Sequence, residues 1–318
     1  MTQGSTILAH DMIKGTYIFK EDGIEIARSS NVITKFGKRF LTNFIAGNVD
    51  FNSKDLAIGI DSTAATANDT RLGFEFYRLP IEFGSTDIQT TGGTTTYSVV
   101  YKTTIPVDVS GTISEIGLYP STRLSTNNYD SKFLADFNSY LDWYDPSGEH
   151  PDVSTTGPKI GDNVITMTSN GTSAKEYTLP LSGLDISGYS VNDSIRLAYY
   201  KNDANLEKIT IKFYSSGTDY YYYDLAAASG TGYKISADIL LSSLVASGSP
   251  DKASINKIGI VIDPLSSATS VGLDGLRIND EDTFDPIFGI ISRSVLSSPL
   301  TKLAGRQVDI EYRLDLGF

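Results

Sequence analysis

Ser254-Ile-Asn-Lys-Ile-Gly-Ile-Val-Ile-Asp-Pro-Leu-Ser-Ser-Ala-Thr-Ser-Val-Gly-Leu-Asp-Gly-Leu-Arg-Ile278 is the stretch whose reading decides the fold. Ile255, Ile258, Ile260 and Ile262 fall close to alternate positions, Pro264 to Ala268 reads as a turn, and Val271, Leu273, Leu276 and Ile278 resume the alternation. Side chains two apart on a strand share a face, so the spacing predicts a hairpin with one buried side. A two-stranded ribbon is marginal in water, and further strands are needed to cover that side.

The preceding residues supply them. Asn163–Thr168, Lys175–Leu181, Ser194–Tyr200, Lys208–Tyr214, Asp219–Leu225 and Lys234–Leu241 are short β-rich runs, each bounded by Gly, Asn, Asp or Ser. With the hairpin they make roughly eight strands at short spacing, which predicts a two-sheet sandwich of jelly-roll type. The closing pattern, Ile255-x-x-Ile258-x-Ile260 followed by Leu273-Asp-Gly-Leu-Arg-Ile278, resembles the last two strands of carbohydrate-binding-module-like β-sandwiches.

Composition bounds the chemistry. The 318 residues suffice for two domains, 19 tyrosines favour strands over helices, and the absence of cysteine removes disulfides, thiolate metal sites and a thiol nucleophile. A net charge of −12 argues against nucleic-acid binding, which needs clustered Lys and Arg. No apolar run is long enough to cross a membrane, and the first residues carry no secretory pattern.

Toward the N-terminus, Thr16–Ala27 reads as a hairpin turning at Glu21-Asp-Gly. Residues Asn31–Gly47 read as an amphipathic helix, with Ile33, Phe36, Phe40, Leu41, Phe44 and Ile45 on one side, Lys35, Lys38 and Arg39 on the other and Gly47 as its stop. Strands follow at Asp55–Asp61, Leu72–Phe83, Tyr97–Ile105 and Thr112–Tyr119. Phe288–Val295 fits a strand or a short helix. The last run alternates Val308, Ile310, Tyr312, Leu314 and Leu316 against Asp309, Glu311, Arg313 and Asp315.

The series Asn31-Val-Ile-Thr-x-x-Gly37, Leu56-Ala-Ile-Gly59, Asn68-Asp-Thr-x-Leu72 and Ile113-Ser-Glu-Ile-Gly-Leu-Tyr119 resembles a module of tailed-bacteriophage virion proteins, tail-fibre and appendage components above all. Modules of this kind close on a strand like Leu303-Ala-Gly-x-x-Val-Asp-Ile-Glu-Tyr-Arg-Leu314. The expected fold class is mainly β: an antiparallel module with one amphipathic helix, split in sequence (1–134 and 281–318), carrying an inserted jelly-roll-like sandwich (135–280). The resemblance implies a virion structural protein assembled in the host cytoplasm, a tail or baseplate appendage whose sandwich is exposed. Its implied partners are other virion proteins, further copies of itself and host cell-surface polysaccharide. Edge strands, the last one included, and the aromatic helix face would then be covered by neighbouring subunits. Capsid decoration or a head fibre is one alternative; a free carbohydrate-binding protein or polysaccharide depolymerase is another.

For chemistry, the only histidines are His10 and His150, both in polar turns, so no catalytic residue is assigned. Asp142, Asp145 and Glu149 are the carboxylates that a sugar-hydrolysing reading would use. Aromatic rings stack on the apolar face of a pyranose, which makes Trp143 and Tyr144 candidate glycan contacts. The run Tyr220–Tyr223 puts one pair on each face of a strand; Tyr221 and Tyr223 are taken as the exposed pair. Asp274, Asp280 and Asp282 are candidates for a structural calcium, with turn capping as the alternative role for such residues. No other cofactor is expected.

Overall fold

A computed structural model describes residues 13–48, 55–91, 94–120, 131–155, 157–280 and 289–317. The chain divides into two compact units, residues 1–123 with 283–318 and residues 124–282.

In chain order the first unit begins with β1 (Ile13–Glu21), β2 (Ile24–Ser30), β3 (Val32–Ile33), helix α1 (Lys35–Ile45), β4 (Asp55–Gly59), β5 (Glu75–Pro80), β6 (Glu82–Thr91), β7 (Thr94–Ile105) and β8 (Gly111–Tyr119). The second contains β9 (Lys132–Ala135), β10 (Asp152–Ser154), β11 (Val164–Thr168), β12 (Lys175–Leu184), β13 (Ser194–Lys201), β14 (Leu206–Tyr214), β15 (Tyr220–Ala226), β16 (Gly232–Ile235), β17 (Ile239–Leu240), β18 (Val245–Ser247), β19 (Ile255–Pro264) and β20 (Ser270–Asn279). The chain then returns to the first unit as β21 (Ser292–Lys302) and β22 (Val308–Gly317). The protein is mainly β with antiparallel sheets, and α1 is the one α-helix among the described residues.

Sheet I of the first unit has the order β2-β1-β22-β7-β6, and sheet II the order β3-β21-β8-β4-β5. Their facing sides share one core, in which Tyr17, Phe19, Ile310 and Tyr312 meet Leu56, Ile58, Ile113, Ile116 and Leu118. The last strand is therefore not an edge. Tyr312 pairs with Tyr17 on one side and Tyr101 on the other, so β22 is hydrogen-bonded along both flanks by strands from the start of the chain. The β1–β2 turn is Asp22-Gly23, both at positive φ (51° and 79°), the backbone that a two-residue hairpin of this hand demands.

The helix starts later than the periodicity suggests. Val32 and Ile33 pair with β21, and the Thr34 hydroxyl caps α1 by accepting the Gly37 N–H at 2.9 Å. Phe36 and Phe40 stack with ring centroids 6.1 Å apart and join the core, whereas Phe44 and Ile45 stay exposed. Only the first half of the aromatic stripe is covered. The run Ile113–Tyr119 has a physical use in sheet II: Glu115, fully buried, meets Arg293 at 2.8 Å and accepts the N–H groups of Gly73 and Phe74. Arg293 also reaches Asp69 at 2.9 Å and the Thr63 carbonyl at 3.0 Å, which ties the loop between β4 and β5 to the sheet.

The second unit is a sandwich. Sheet III runs β10-β11-β20-β13-β16, with β9 also on β20 and β17 on β13; sheet IV runs β12-β19-β14-β15-β18. Ile165, Leu273 and Leu276 of sheet III share a core with Ile209, Ile211, Ile258 and Ile260 of sheet IV. Ser254–Ile278 is not a hairpin. Its two arms, β19 and β20, lie in different sheets and the turn after Pro264 carries the chain from one to the other. Each arm is flanked on both sides, β19 by β12 and β14, β20 by β11 and β13. Both arms still bury their apolar side in the common core, so the alternation is the same as in a hairpin while the hydrogen-bond partners differ. Because β9 pairs with β20, residues 132–135 belong with the sandwich.

Candidate functional site

Strand alternation decides which side chains of sheet IV can meet a ligand. In β14, Ile209, Ile211 and Phe213 turn into the core, so Lys208, Thr210, Lys212 and Tyr214 turn out. The register places Tyr220 opposite Tyr214, Tyr222 opposite Lys212 and Asp224 opposite Thr210. On the other flank, Lys257 is opposite Tyr214 and Gly259 opposite Lys212. The outward face thus carries a row of rings, Tyr214, Tyr220 and Tyr222, with centroids 4.9 and 5.9 Å apart along the row.

Charged groups hold that row in place. The Lys212 ammonium sits 3.0 Å from a Glu176 carboxylate oxygen and 5.0 Å above the Tyr220 ring. The Tyr214 hydroxyl donates to the other Glu176 oxygen at 2.6 Å, and desolvation, then the adjacent Glu176 charge, raises its pKa. Gly259 makes the space for this pair, since a Cβ there would overlap the Glu176 carboxylate and press on the Tyr214 ring. Farther along, Asp224 accepts the Thr210 hydroxyl and meets Lys208 at 3.2 Å. Burial works against its charge, yet these two partners keep the Asp224 carboxyl below the usual range. Tyr214 itself is buried, at 6% exposed, and leaves the half-buried Tyr220 and Tyr222 as the accessible rings. Half-buried rings beside fixed donors and acceptors are what a sugar needs: an apolar ring face to stack on and hydroxyl partners at its rim.

The expected contact residues are placed differently. Trp143 is 1% exposed and stacked on Phe137 with centroids 5.1 Å apart, a core ring with no face for a sugar. Tyr221 and Tyr223 pack against the sandwich core, and the Tyr221 hydroxyl donates to the Pro250 carbonyl. The outward pair is Tyr220 and Tyr222, because Tyr221 is in register with the core residue Phe213. Tyr144 is 37% exposed, and its backbone bridges to Thr178. The signal that finds the correct pair is the alternation of β14, which fixes the facing of whatever strand pairs with it.

The acidic candidates act as structural anchors. Asp145 accepts from the Ser147 hydroxyl and from the Ser147 and Glu149 N–H groups, and it meets Lys175 at 2.9 Å. The Ser147 hydroxyl first, and the Lys175 ammonium after it, hold the Asp145 carboxyl well below the ordinary value. Glu149 shares the same lysine at 3.5 Å, and Asp142 lies on an exposed 3-10 turn. Asp145 and Glu149 thus belong to one turn bridged by Lys175, with Asp142 on the neighbouring 3-10 turn outside that bridge. His150 Nδ1 lies 2.7 Å from the Trp143 carbonyl, which only accepts, so that nitrogen carries the proton. His10 lies outside the described residues.

For the calcium candidates, Asp274 is fully buried and one carboxylate oxygen accepts from the Lys159 and Ile160 N–H groups and the Tyr233 hydroxyl. Its other oxygen has no hydrogen-bond partner, and burial pushes the carboxyl up to about 6. Donors surround the bonded oxygen where a metal would require further oxygen ligands, and among the described residues no three acidic or histidine groups come together. Asp274 pins the 159–160 backbone to β20. The Asp280 N–H donates to Ser131 Oγ; Asp282 lies outside the described residues. In the first unit a small cleft of about 170 Å³ is lined by Glu21, Ile26, Lys302 and Arg306, and holds none of these residues.

No known protein family matches this sequence. No curated protein matches it. Among solved structures, the family 11 carbohydrate-binding module of the cellulosomal cellulase Lic26A-Cel5E of Clostridium thermocellum is 20% identical with a TM-score of 0.36, over 48% of this chain and 95% of its own. A family 11 module of the same organism in complex with a β-1,3-1,4-mixed-linked tetrasaccharide is 21% identical at TM-score 0.36, over 48% and 96%. The family 30 module of its cellulosomal cellulase Cel9D-Cel44B is 14% identical at TM-score 0.35, over 48% and 99%. These likenesses are slight and reach about half of the chain; the sheet order and shared core described above carry the reading of the sandwich.

Proposed function

We propose that this chain is a non-enzymatic binding protein whose sandwich takes polysaccharide on the outward face of sheet IV. One observation carries the reading: the half-buried Tyr220 and Tyr222 lie side by side on the outward side of sheet IV, packed on a buried Tyr214 that Glu176 holds together with Lys212. Rings so held lose little conformational freedom when a sugar stacks on them, which is the physical meaning of a pre-organised site. A glycan array run beside a reducing-sugar assay tests it. Binding without turnover, weakened by Tyr222→Ala, is the expected result; release of reducing ends that persists in that variant would overturn the reading.

The finer proposal is that the protein is a bacteriophage virion component, a tail or baseplate appendage, with the first unit as the part that docks. The ordered motifs between Asn31 and Tyr119 support this, and so do Phe83, Ile88 and Tyr97 of sheet I, large apolar side chains left exposed. Ile88 and Tyr97 are paired neighbours on β6 and β7, so they form one patch rather than scattered residues. Antibody labelling of assembled particles tests the location, and its absence from particles would end the virion proposal while leaving the glycan reading intact.

A further inference from the structure

The charges on the outward face of sheet IV do not cancel locally. Lys208 lies between Asp224 at 3.2 Å and Asp263 at 3.7 Å. Lys212 has Glu176, and both oxygens of that carboxylate are engaged, one by Lys212 and one by the Tyr214 hydroxyl. Lys257 is different. Its register partner is Tyr214, its ammonium stands 4.1 Å above the Tyr214 ring, and no carboxylate pairs with it among the described residues. It is half-buried, on a chain whose net charge is −12. The ring quadrupole offsets a small part of a cation's charge and leaves its N–H groups free to donate outward.

From this geometry we infer that the glycan taken by this face is acidic, with a carboxylate or sulfate group of the sugar chain seated on Lys257 while a neighbouring ring stacks on Tyr220 and Tyr222. The inference rests on the proposed glycan-binding role of the same face. A neutral glycan would leave the ammonium without a counter-charge and would use only the rings. An acidic one supplies the missing charge beside them. On a chain of net charge −12, an acidic polymer needs a local cation of this kind to approach the rings.

The test uses the full-length protein and three probes of matched length: a neutral β-glucan oligosaccharide, a uronate oligosaccharide and a sulfated one. Titration calorimetry at about 50 mM and 500 mM salt is expected to show an acidic probe bound about five-fold more tightly at low salt, the advantage shrinking at high salt. The uronate and sulfate arms tell which group is seated. Lys257→Met brings the acidic-to-neutral affinity ratio to about one, and Lys257→Arg retains the preference. Neutral and acidic probes bound equally by the unsubstituted protein, or a preference that survives Lys257→Met, would overturn the inference while the glycan reading stands. Failure of all three probes to bind would overturn the glycan reading itself and this inference with it.

Discussion

Trp143 and Tyr222 are both aromatic, and their surroundings give them opposite roles. Truncating Trp143, a core ring stacked on Phe137, removes buried area and leaves a cavity; Trp143→Ala is expected to cost about 3–5 kcal/mol, read as a lower denaturant midpoint. Tyr222→Ala removes a half-buried ring from the outward row and is expected to weaken sugar binding about 2- to 10-fold, with little change in that midpoint. A third residue makes stability depend on pH. Asp274 has a folded pKa of about 6, above the ordinary carboxylate value, because burial disfavours its charge. The folded state therefore holds a proton that the unfolded chain has released between about pH 4 and 6. The stabilisation is fully present below about pH 4 and is lost as pH rises through 6, up to about 3 kcal/mol in all. Asp274→Asn should remove this slope, so urea midpoints from pH 4 to pH 7 should fall relative to the variant in the unsubstituted protein alone.

At the scale of elements, the Glu115–Arg293 pair joins β8 to β21 and holds the loop from Thr63 to Phe74. Removing one partner leaves a buried charge, so Glu115→Gln or Arg293→Met is expected to cost about 3–5 kcal/mol, and the double variant less than the sum of the two. Limited proteolysis should then cut the loop first. Helix α1 depends on a close approach at Gly37, where a Cβ would overlap the Ile291 carbonyl; Gly37→Ala should undock the helix and shift the thermal midpoint down. Most strands and the helix were legible in the sequence, because alternation and three- or four-residue spacing report which side of an element is buried. They do not report which strand donates the hydrogen bonds. Ser254–Ile278 therefore reads equally well as one hairpin or as two strands of facing sheets, and four consecutive tyrosines read equally well facing either way. The first tie is broken by a partner distant in sequence, Tyr177 against Ile260, and the second by the next strand alone, Phe213 against Tyr221. The candidate face was illegible for the same reason: Glu176, Lys212 and Lys257 converge through strand pairing, with no motif to mark them.

The whole molecule consists of two units, each with its own core. Every residue of the sandwich core lies between Leu134 and Ile278, so residues 124–282 expressed alone should fold and bind sugar as the full chain does. The first unit behaves oppositely: deleting Val308–Gly317 takes away the strand between β1 and β7 and is expected to abolish its cooperative unfolding transition while leaving that of the sandwich. The central place of β22 also sets an order in time. Val308 pairs with Ile105, so about 200 residues must be translated after β7 before its neighbour exists. At about 5–20 residues per second that delay is roughly 10–40 s, during which the sandwich can already fold on the ribosome while β1 and β7 expose open hydrogen-bonding edges. Nascent-chain holding factors would have their longest engagement with this protein there, on its earliest strands.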